Sequence, residues 1–256
     1  MGKIKTIAEY KSESKEVEVL FWVGCAGSYD ARAQKVSKAF SEIMLAAGVS
    51  FAILGEEEKC TGDPARRAGN EFLFQMLAIQ NIETLNQYDI KNIVTTCPHC
   101  FNTLKNEYPS LGGKYRVLHH TEFINSLIKS GRLKIKSLTS ERITYHDSCY
   151  LGRVNGVYEA PREVLAALNI DIDEMVRSKS NGLCCGAGGA QMFKEDEPGV
   201  KKINTERIEE VLDKNTQKVV SNCPFCLTML TDGLKLKEKN DSVMAYDLAE
   251  MIVQRL

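Results

Sequence analysis

A chain of 256 residues with 33 basic and 34 acidic side chains, net charge -1, has no electrostatic footprint for nucleic acid or an anionic membrane surface. Its longest apolar runs, such as Val19 to Val23 and Ile43 to Ala47, fall well short of the ~20 residues a membrane helix needs, so no direct membrane span is expected. The length suffices for two domains, each with its own core. Nine cysteines without an N-terminal apolar leader point to a reducing, cytoplasmic compartment, where thiols serve metals or redox chemistry rather than structural bridges.

In chain order, residues 1–18 read as a polar, flexible or partner-bound lead. Val19 to Val23 predicts a buried strand that runs into the loop of Gly24 and Cys25. Val36, Ala39, Phe40, Ile43, Met44 and Ala47 recur at three and four, an amphipathic helix stopped by Gly48. Val49 to Leu54 is the next strand, and a glycine-bearing loop then carries Cys60. Phe72, Met76, Ile79, Ile82 and Leu85 mark a second helix, and Ile93 to Val94 a strand. Cys97-Pro-His-Cys100 opens a third helix, with Pro98 well suited to its first position. Tyr115 to Leu118 is a fourth strand, followed by the helix Glu122 to Lys129.

The second half repeats this order. Ile143 to Tyr145 is a strand ending in His146-Asp-Ser-Cys149; Ala160 to Leu168 and Ile203 to Leu212 are helices; Val219 to Val220 runs into Cys223-Pro-Phe-Cys226; Val243 to Tyr246 and Leu248 to Val253 close the copy. The cysteines make the repeat measurable: 34 residues separate Cys25 from Cys60 and also Cys149 from Cys184, and both copies end in Cys-Pro-x-Cys. Strand-helix alternation in each copy predicts two α/β domains with mainly parallel sheets, residues 19–133 and 143–256, joined by a linker at Lys134 to Arg142. The cysteine loops then lie at the strands' carboxyl ends, where such folds bind ligands.

Cys149, the adjacent Cys184 and Cys185, Cys223 and Cys226 are one thiol more than tetrahedral zinc uses, which points to an iron-sulfur cluster. Gly186, Gly188 and Gly189 let main-chain N–H groups approach sulfur. The first copy has Thr61 where the second has Cys185, leaving Cys25, Cys60, Cys97 and Cys100 for a cubane [4Fe-4S] cluster, an empty site or a disulfide. A four-cysteine zinc staple is the competing reading of the second set.

All four histidines lie near these motifs. His99 reads as a loop cap. His119, His120 and His146 fall at strand ends facing the expected crevice, as candidates to donate to sulfide or to pass a proton. Arg66, Arg67 and Arg153 in the cysteine-bearing loops read as solvated charge, with anion or partner contact as the alternative, and Phe72, Phe74, Met76 and Leu77 as core.

The pattern C-x34-CCG-x36-CPFC, with a variant copy before it, resembles the cysteine-rich CCG-domain proteins, which include the B and D subunits of heterodisulfide reductase. FWVGCAG, KCTGDPARRAGNE, CPHCFNTLKNEYP, HHTEF and YHDSCYLGR are similar to the soluble part of iron-sulfur oxidoreductases that link electron transfer flavoprotein to a membrane quinone. The resemblance implies tandem Rossmann-like domains. It also implies a noncubane [4Fe-4S] cluster on Cys149, Cys184, Cys185, Cys223 and Cys226, and a second iron-sulfur cluster on Cys25, Cys60, Cys97 and Cys100, where Thr61 departs from the full pattern. Larger relatives add ferredoxin-like domains and membrane helices, so the chain reads as one subunit or module.

The leading expectation is thus an oxidoreductase subunit that relays electrons between a flavoprotein or ferredoxin-like partner and a quinone-linked or disulfide-reducing centre, held at the inner face of the membrane through a partner subunit. The alternatives are a heterodisulfide reductase-like subunit that cleaves a disulfide at the cluster, and a zinc-stapled interaction module.

Overall fold

The computed structural model describes residues 4–136, 138–195 and 198–256. The chain divides into two compact units, residues 1–134 and 135–256.

The first unit opens with helix α1 (Ile7–Ser12), then β1 (Val19–Trp22), α2 (Gly24–Tyr29), α3 (Ala31–Ala46) and β2 (Phe51–Ala52). It continues with α4 (Asp63–Arg67), α5 (Glu71–Gln87), β3 (Asn92–Thr95), α6 (Pro98–Asn102), β4 (Arg116–His119) and α7 (His120–Lys129). The sheet order is β2-β1-β3-β4, all parallel. Strand β1 (Val-Leu-Phe-Trp) is buried along its whole length, the pattern of a central strand covered on both faces. Asp30 caps α3 by accepting from the Ala33 N–H at 2.7 Å, and Gly48, at φ +63°, lets the chain turn out of that helix.

The second unit holds β5 (Glu141–His146), α8 (Glu159–Ala167), β6 (Ile170–Ile172), α9 (Ile203–Leu212), β7 (Lys218–Ser221), α10 (Pro224–Leu236), β8 (Met244–Asp247) and α11 (Leu248–Val253). Its sheet order, β6-β5-β7-β8, is again all parallel and repeats the order of the first. The α/β class with parallel sheets is therefore the one the alternation predicts. Among the described residues no helix is long and apolar enough to cross a membrane.

The order has a direct consequence for the sites. From β1 the chain winds outward to β2, then returns to the other side of β1 to build β3 and β4. The switch point therefore lies between β1 and β3, and in the second unit between β5 and β7; open parallel sheets bind ligands outside the carboxyl ends at that point. Cys25 follows β1 and Cys97 follows β3; Cys149 follows β5 and Cys223 follows β7.

The polar lead is not the loose segment expected. Thr6 and Glu9 form a capping box, the Ile7 N–H donates to the Ile53 carbonyl at 2.9 Å, and the Ile7 side chain is buried, so α1 packs on the edge beside β2. In the expected linker, the Lys136 N–H donates to the Arg255 carbonyl at 2.9 Å and Glu141 already belongs to β5; Ser137 lies outside the described residues. The strand beside β5 is Ile170–Ile172, and Met175 after it is buried. On α5, Phe74 is core, whereas Phe72 and Met76 are exposed. That helix is apolar on more than one face, and only one face meets the sheet.

Phe40 on α3 anchors the first core, fully buried and edge-on to Phe21 at 5.1 Å, His120 at 5.7 Å and Phe123 at 6.4 Å. Phe40→Ala is expected to cost about 3–5 kcal/mol, the usual range for deleting a buried aromatic ring. A denaturation midpoint for the first unit that matches the wild type would contradict this.

Candidate metal centre

At the carboxyl end of the second sheet five thiols converge. The thiol of Cys184 lies near enough to those of Cys149 and Cys185 to shift their ionisation, as Cys185 does with Cys226 and Cys226 with Cys223. Cys185, Cys223 and Cys226 are buried, while Cys149 and Cys184 are half-buried. The Gly186 N–H donates to Cys184 Sγ at 3.3 Å, and the Ser148 hydroxyl to Cys226 Sγ at 3.5 Å. Gly186 sits at φ +93°, and a Cβ there would lie 3.2 Å from Ile203 Cβ. A larger residue there would be strained by the backbone conformation and would crowd Ile203.

The thiols share charge unevenly. Hydrogen bonds from Cys149 and Cys185 hold Cys184 far below an ordinary thiol, and the same contact holds Cys149 well above one. Neighbouring hydrogen bonds and burial push Cys185 up as well. Several thiolates this close ionise together only when a cation neutralises them, so the donor set favours a multi-iron centre over isolated thiols. Five converging sulfurs, three of them buried, fit an iron-sulfur cluster and exceed what tetrahedral zinc uses.

Two buried polar assemblies support these loops. The Asp147 carboxylate takes two parallel hydrogen bonds from Arg162, at 2.8 and 2.9 Å, and a third from the Lys179 N–H at 2.7 Å. Arg162 also binds Glu174 at 2.7 and 3.1 Å and lies 5.0 Å over the Tyr145 ring. The second assembly is His146 with Arg207, both fully buried: Arg207 Nε donates to His146 Nδ1 at 2.9 Å. Burial, with the Arg207 charge beside it, pushes His146 down to about 3, so the ring is neutral. One ring nitrogen of His146 and the sulfurs of Cys185 and Cys226 lie within 4.8 Å of one another.

The first unit builds the same frame around four thiols. Cys25 pairs with Cys60 and Cys97 with Cys100. Gly62, at φ +87°, donates its N–H to Cys60 Sγ at 3.5 Å, as Gly186 does to Cys184. Thr61 is buried and its hydroxyl donates to Cys100 Sγ at 3.8 Å, the contact that Cys185 makes with Cys226 in the other unit. Glu58 accepts from the N–H groups of Val23 and Gly24 at 3.0 and 2.6 Å and so ties down the turn before Cys25; desolvation pushes its carboxyl up to about 7.

The Nδ1 of His99 meets Asp63 Oδ2 at 2.9 Å, and Asp63 in turn accepts from Arg67 Nε at 3.0 Å. Burial disfavours a charge on His99, but Asp63 and the Cys97 thiol outweigh it and leave the ring above its usual value. Arg66 and Arg67 both bind Glu107, and Arg153 binds the Gly182 carbonyl, so these arginines are loop braces, not solvated charges. His119 and His120 pack against one another at the end of β4 and the start of α7. Their rings lie 4.4 Å apart, fully buried, with Phe40 edge-on to His120 and Phe101 edge-on to His119. Of the three histidines singled out by sequence, His146 is the one grouped with two thiols, Cys185 and Cys226, among the described residues.

The family model for the cysteine-rich domain, CCG, matches residues 19–105 and again 143–231. The chain belongs to this family. Each CCG match spans one sheet's first three strands with the loops that carry its thiols. Among curated relatives, the probable iron-sulfur-binding oxidoreductase FadF of Bacillus subtilis (strain 168) is 51% identical over 254 residues, 99% of this chain and 36% of that protein. The EtfAB:quinone oxidoreductase of Syntrophomonas wolfei is 46% identical over 246 residues, 94% of this chain and 34% of that one. The D subunit of the dihydromethanophenazine:CoB--CoM heterodisulfide reductase from Methanosarcina barkeri is 33% identical over 255 residues, 97% and 61% of the two chains. This chain thus spans about a third of the first two relatives. A crystal structure of a hypothetical protein from Helicobacter pylori shares the fold alone, with TM-score 0.60 at 8% identity over 93% of this chain and 48% of that one.

Proposed function

We propose that this chain is the iron-sulfur electron-transfer part of an oxidoreductase, and that Cys149, Cys184, Cys185, Cys223 and Cys226 together bind one [4Fe-4S] cluster of the noncubane kind. The observation that carries the reading is the unbroken run of thiol contacts joining all five cysteines at the switch point of the second sheet. When bound, such a cluster takes up and releases single electrons. The protein's part is to hold and shield it: buried Cys185, Cys223 and Cys226 keep water from one side, and half-buried Cys149 and Cys184 leave the other within reach of a partner. Cys25, Cys60, Cys97 and Cys100 would hold a second cluster with four ligands. The partners that fit are a flavoprotein, with electron transfer flavoprotein the case suggested by the EtfAB:quinone oxidoreductase relative, or a ferredoxin-like subunit. A quinone-linked partner subunit would keep the chain at the membrane's inner face.

The test is metal analysis of protein purified without oxygen: iron with acid-labile sulfide is expected, and zinc alone would defeat the reading. Thr61→Cys offers a finer check. The new thiol would stand against Cys100 as Cys185 stands against Cys226, so a second noncubane spectrum should appear beside the first. Two such spectra already present in the wild type would sink the distinction between the sites.

A second reading rests on the half-exposure of Cys149 and Cys184 and on the heterodisulfide reductase relative. A disulfide reaching that side would take two electrons and two protons to leave as two thiols. Turnover of a disulfide with a reduced viologen donor, absent in a pure relay, separates the two.

A further inference from the structure

We propose that His146 is a fixed hydrogen-bond donor to the sulfur atoms of the second site and not a metal ligand, with Arg207 as the positioning residue that decides which ring nitrogen carries the proton. The inference rests on the cluster reading above and adds to it a role for a residue outside the thiol set.

The chemistry of the Arg207 contact is one-sided. A guanidinium has donors only, so the nitrogen it meets, His146 Nδ1, must present its lone pair. A neutral imidazole then carries its proton on Nε2. That nitrogen is buried and has no hydrogen-bond partner among the described residues, although a buried N–H normally finds an acceptor. A metal-ligating histidine has the opposite arrangement, its lone pair on the metal and its other N–H given to a carboxylate or carbonyl. Arg207 is itself held, since its Nη1 donates to the Arg177 carbonyl at 2.8 Å and to Glu210. His146 cannot turn its lone pair toward the thiols without losing that contact.

The first unit supplies an independent observation. Trp22 closes β1 as His146 closes β5; each stands three residues before its unit's first cysteine. Trp22 pairs with Thr95 and His146 with Ser221, and each of those partners stands two residues before Cys-Pro-x-Cys. Trp22 Nε1 is likewise buried without a partner among the described residues. Indole and imidazole share little except a ring N–H, and indole nitrogen has no lone pair to give a metal. The repeat therefore keeps an N–H donor at this position and does not keep a ligand. Donors to cluster sulfur favour the reduced, more negative form and raise the potential.

Pulsed electron paramagnetic resonance on the full chain labelled with 15N-histidine tests this without mutation: a weak nitrogen coupling with an exchangeable proton is expected. Potentiometric titration of His146→Phe, His146→Gln and Arg207→Met follows. Iron and sulfide should stay at wild-type levels in all three. At a fixed poise His146→Phe and Arg207→Met should show about a tenfold higher oxidised-to-reduced ratio, 59 mV for one electron, while His146→Gln, which keeps an N–H, stays near the wild type. A strong nitrogen coupling, iron lost in His146→Phe, or an unmoved potential overturns this inference alone. A wild type without iron overturns the cluster reading and this inference with it.

Discussion

Cys185→Ser is expected to strip the second site of its iron while leaving the fold of that unit intact. Cys185 is 3% exposed and its thiol touches both Cys184 and Cys226, so it is the middle of the five-thiol run. Serine matches its size but not its chemistry: a hydroxyl does not give up its proton to iron as a thiol does, and oxygen is a harder ligand. Altering groups that merely support a metal's ligands already weakens binding by roughly 10–100-fold, so removal of a central ligand should exceed that. The first unit shows that a hydroxyl is compatible with the fold here, because Thr61 occupies the matching place and is fully packed. Iron and sulfide per chain should fall by the share of the second site, and the circular dichroism spectrum should stay unchanged. Undiminished iron with an unaltered spectrum would remove Cys185 from the ligand set.

The parts of this structure legible in the sequence are those with a period. The amphipathic stripes on α3 and α7, the buried run of β1 and the matched cysteine spacings each repeat a residue type at an interval that the backbone geometry dictates. Helix α1 has no such stripe, since only Ile7 is buried, but Thr6 and Glu9 at capping-box spacing were a readable start signal. Strand β6 is three residues with an aspartate in the middle, too short to carry a period. Phe72 and Met76 misled because α5 is apolar on several sides, and periodicity cannot choose among faces when no polar face marks the outside. The polar assemblies were out of reach for another reason. Arg207 lies 61 positions from His146, and Arg162 15 positions from Asp147; each reads alone as a solvated helix charge, and only the turn of the chain at the switch point joins them.

Asp147→Ala is expected to damage the thiol-bearing loops although it removes no thiol. Asp147 stands two residues before Cys149, and its carboxylate also holds the Lys179 N–H, five residues before Cys184, so one side chain pins two thiol-bearing loops to α8. Burial works against the Arg162 charge, yet Asp147 and Glu174 outweigh it and hold its proton more firmly than usual. Taking Asp147 away leaves a nearly buried guanidinium with Glu174 and the Tyr158 carbonyl as its remaining partners and strands the Lys179 N–H. Removing one partner of a buried pair costs roughly 3–5 kcal/mol, and the remaining Glu174 contact places this case toward the lower end. Asp147→Asn keeps the size and one acceptor oxygen, and should lose less. The expected readings are a lower denaturation midpoint for the second unit and faster iron release to a chelator, in the order Asp147→Ala, Asp147→Asn, wild type. If both variants released iron at the wild-type rate, the two loops would be held by something other than this carboxylate.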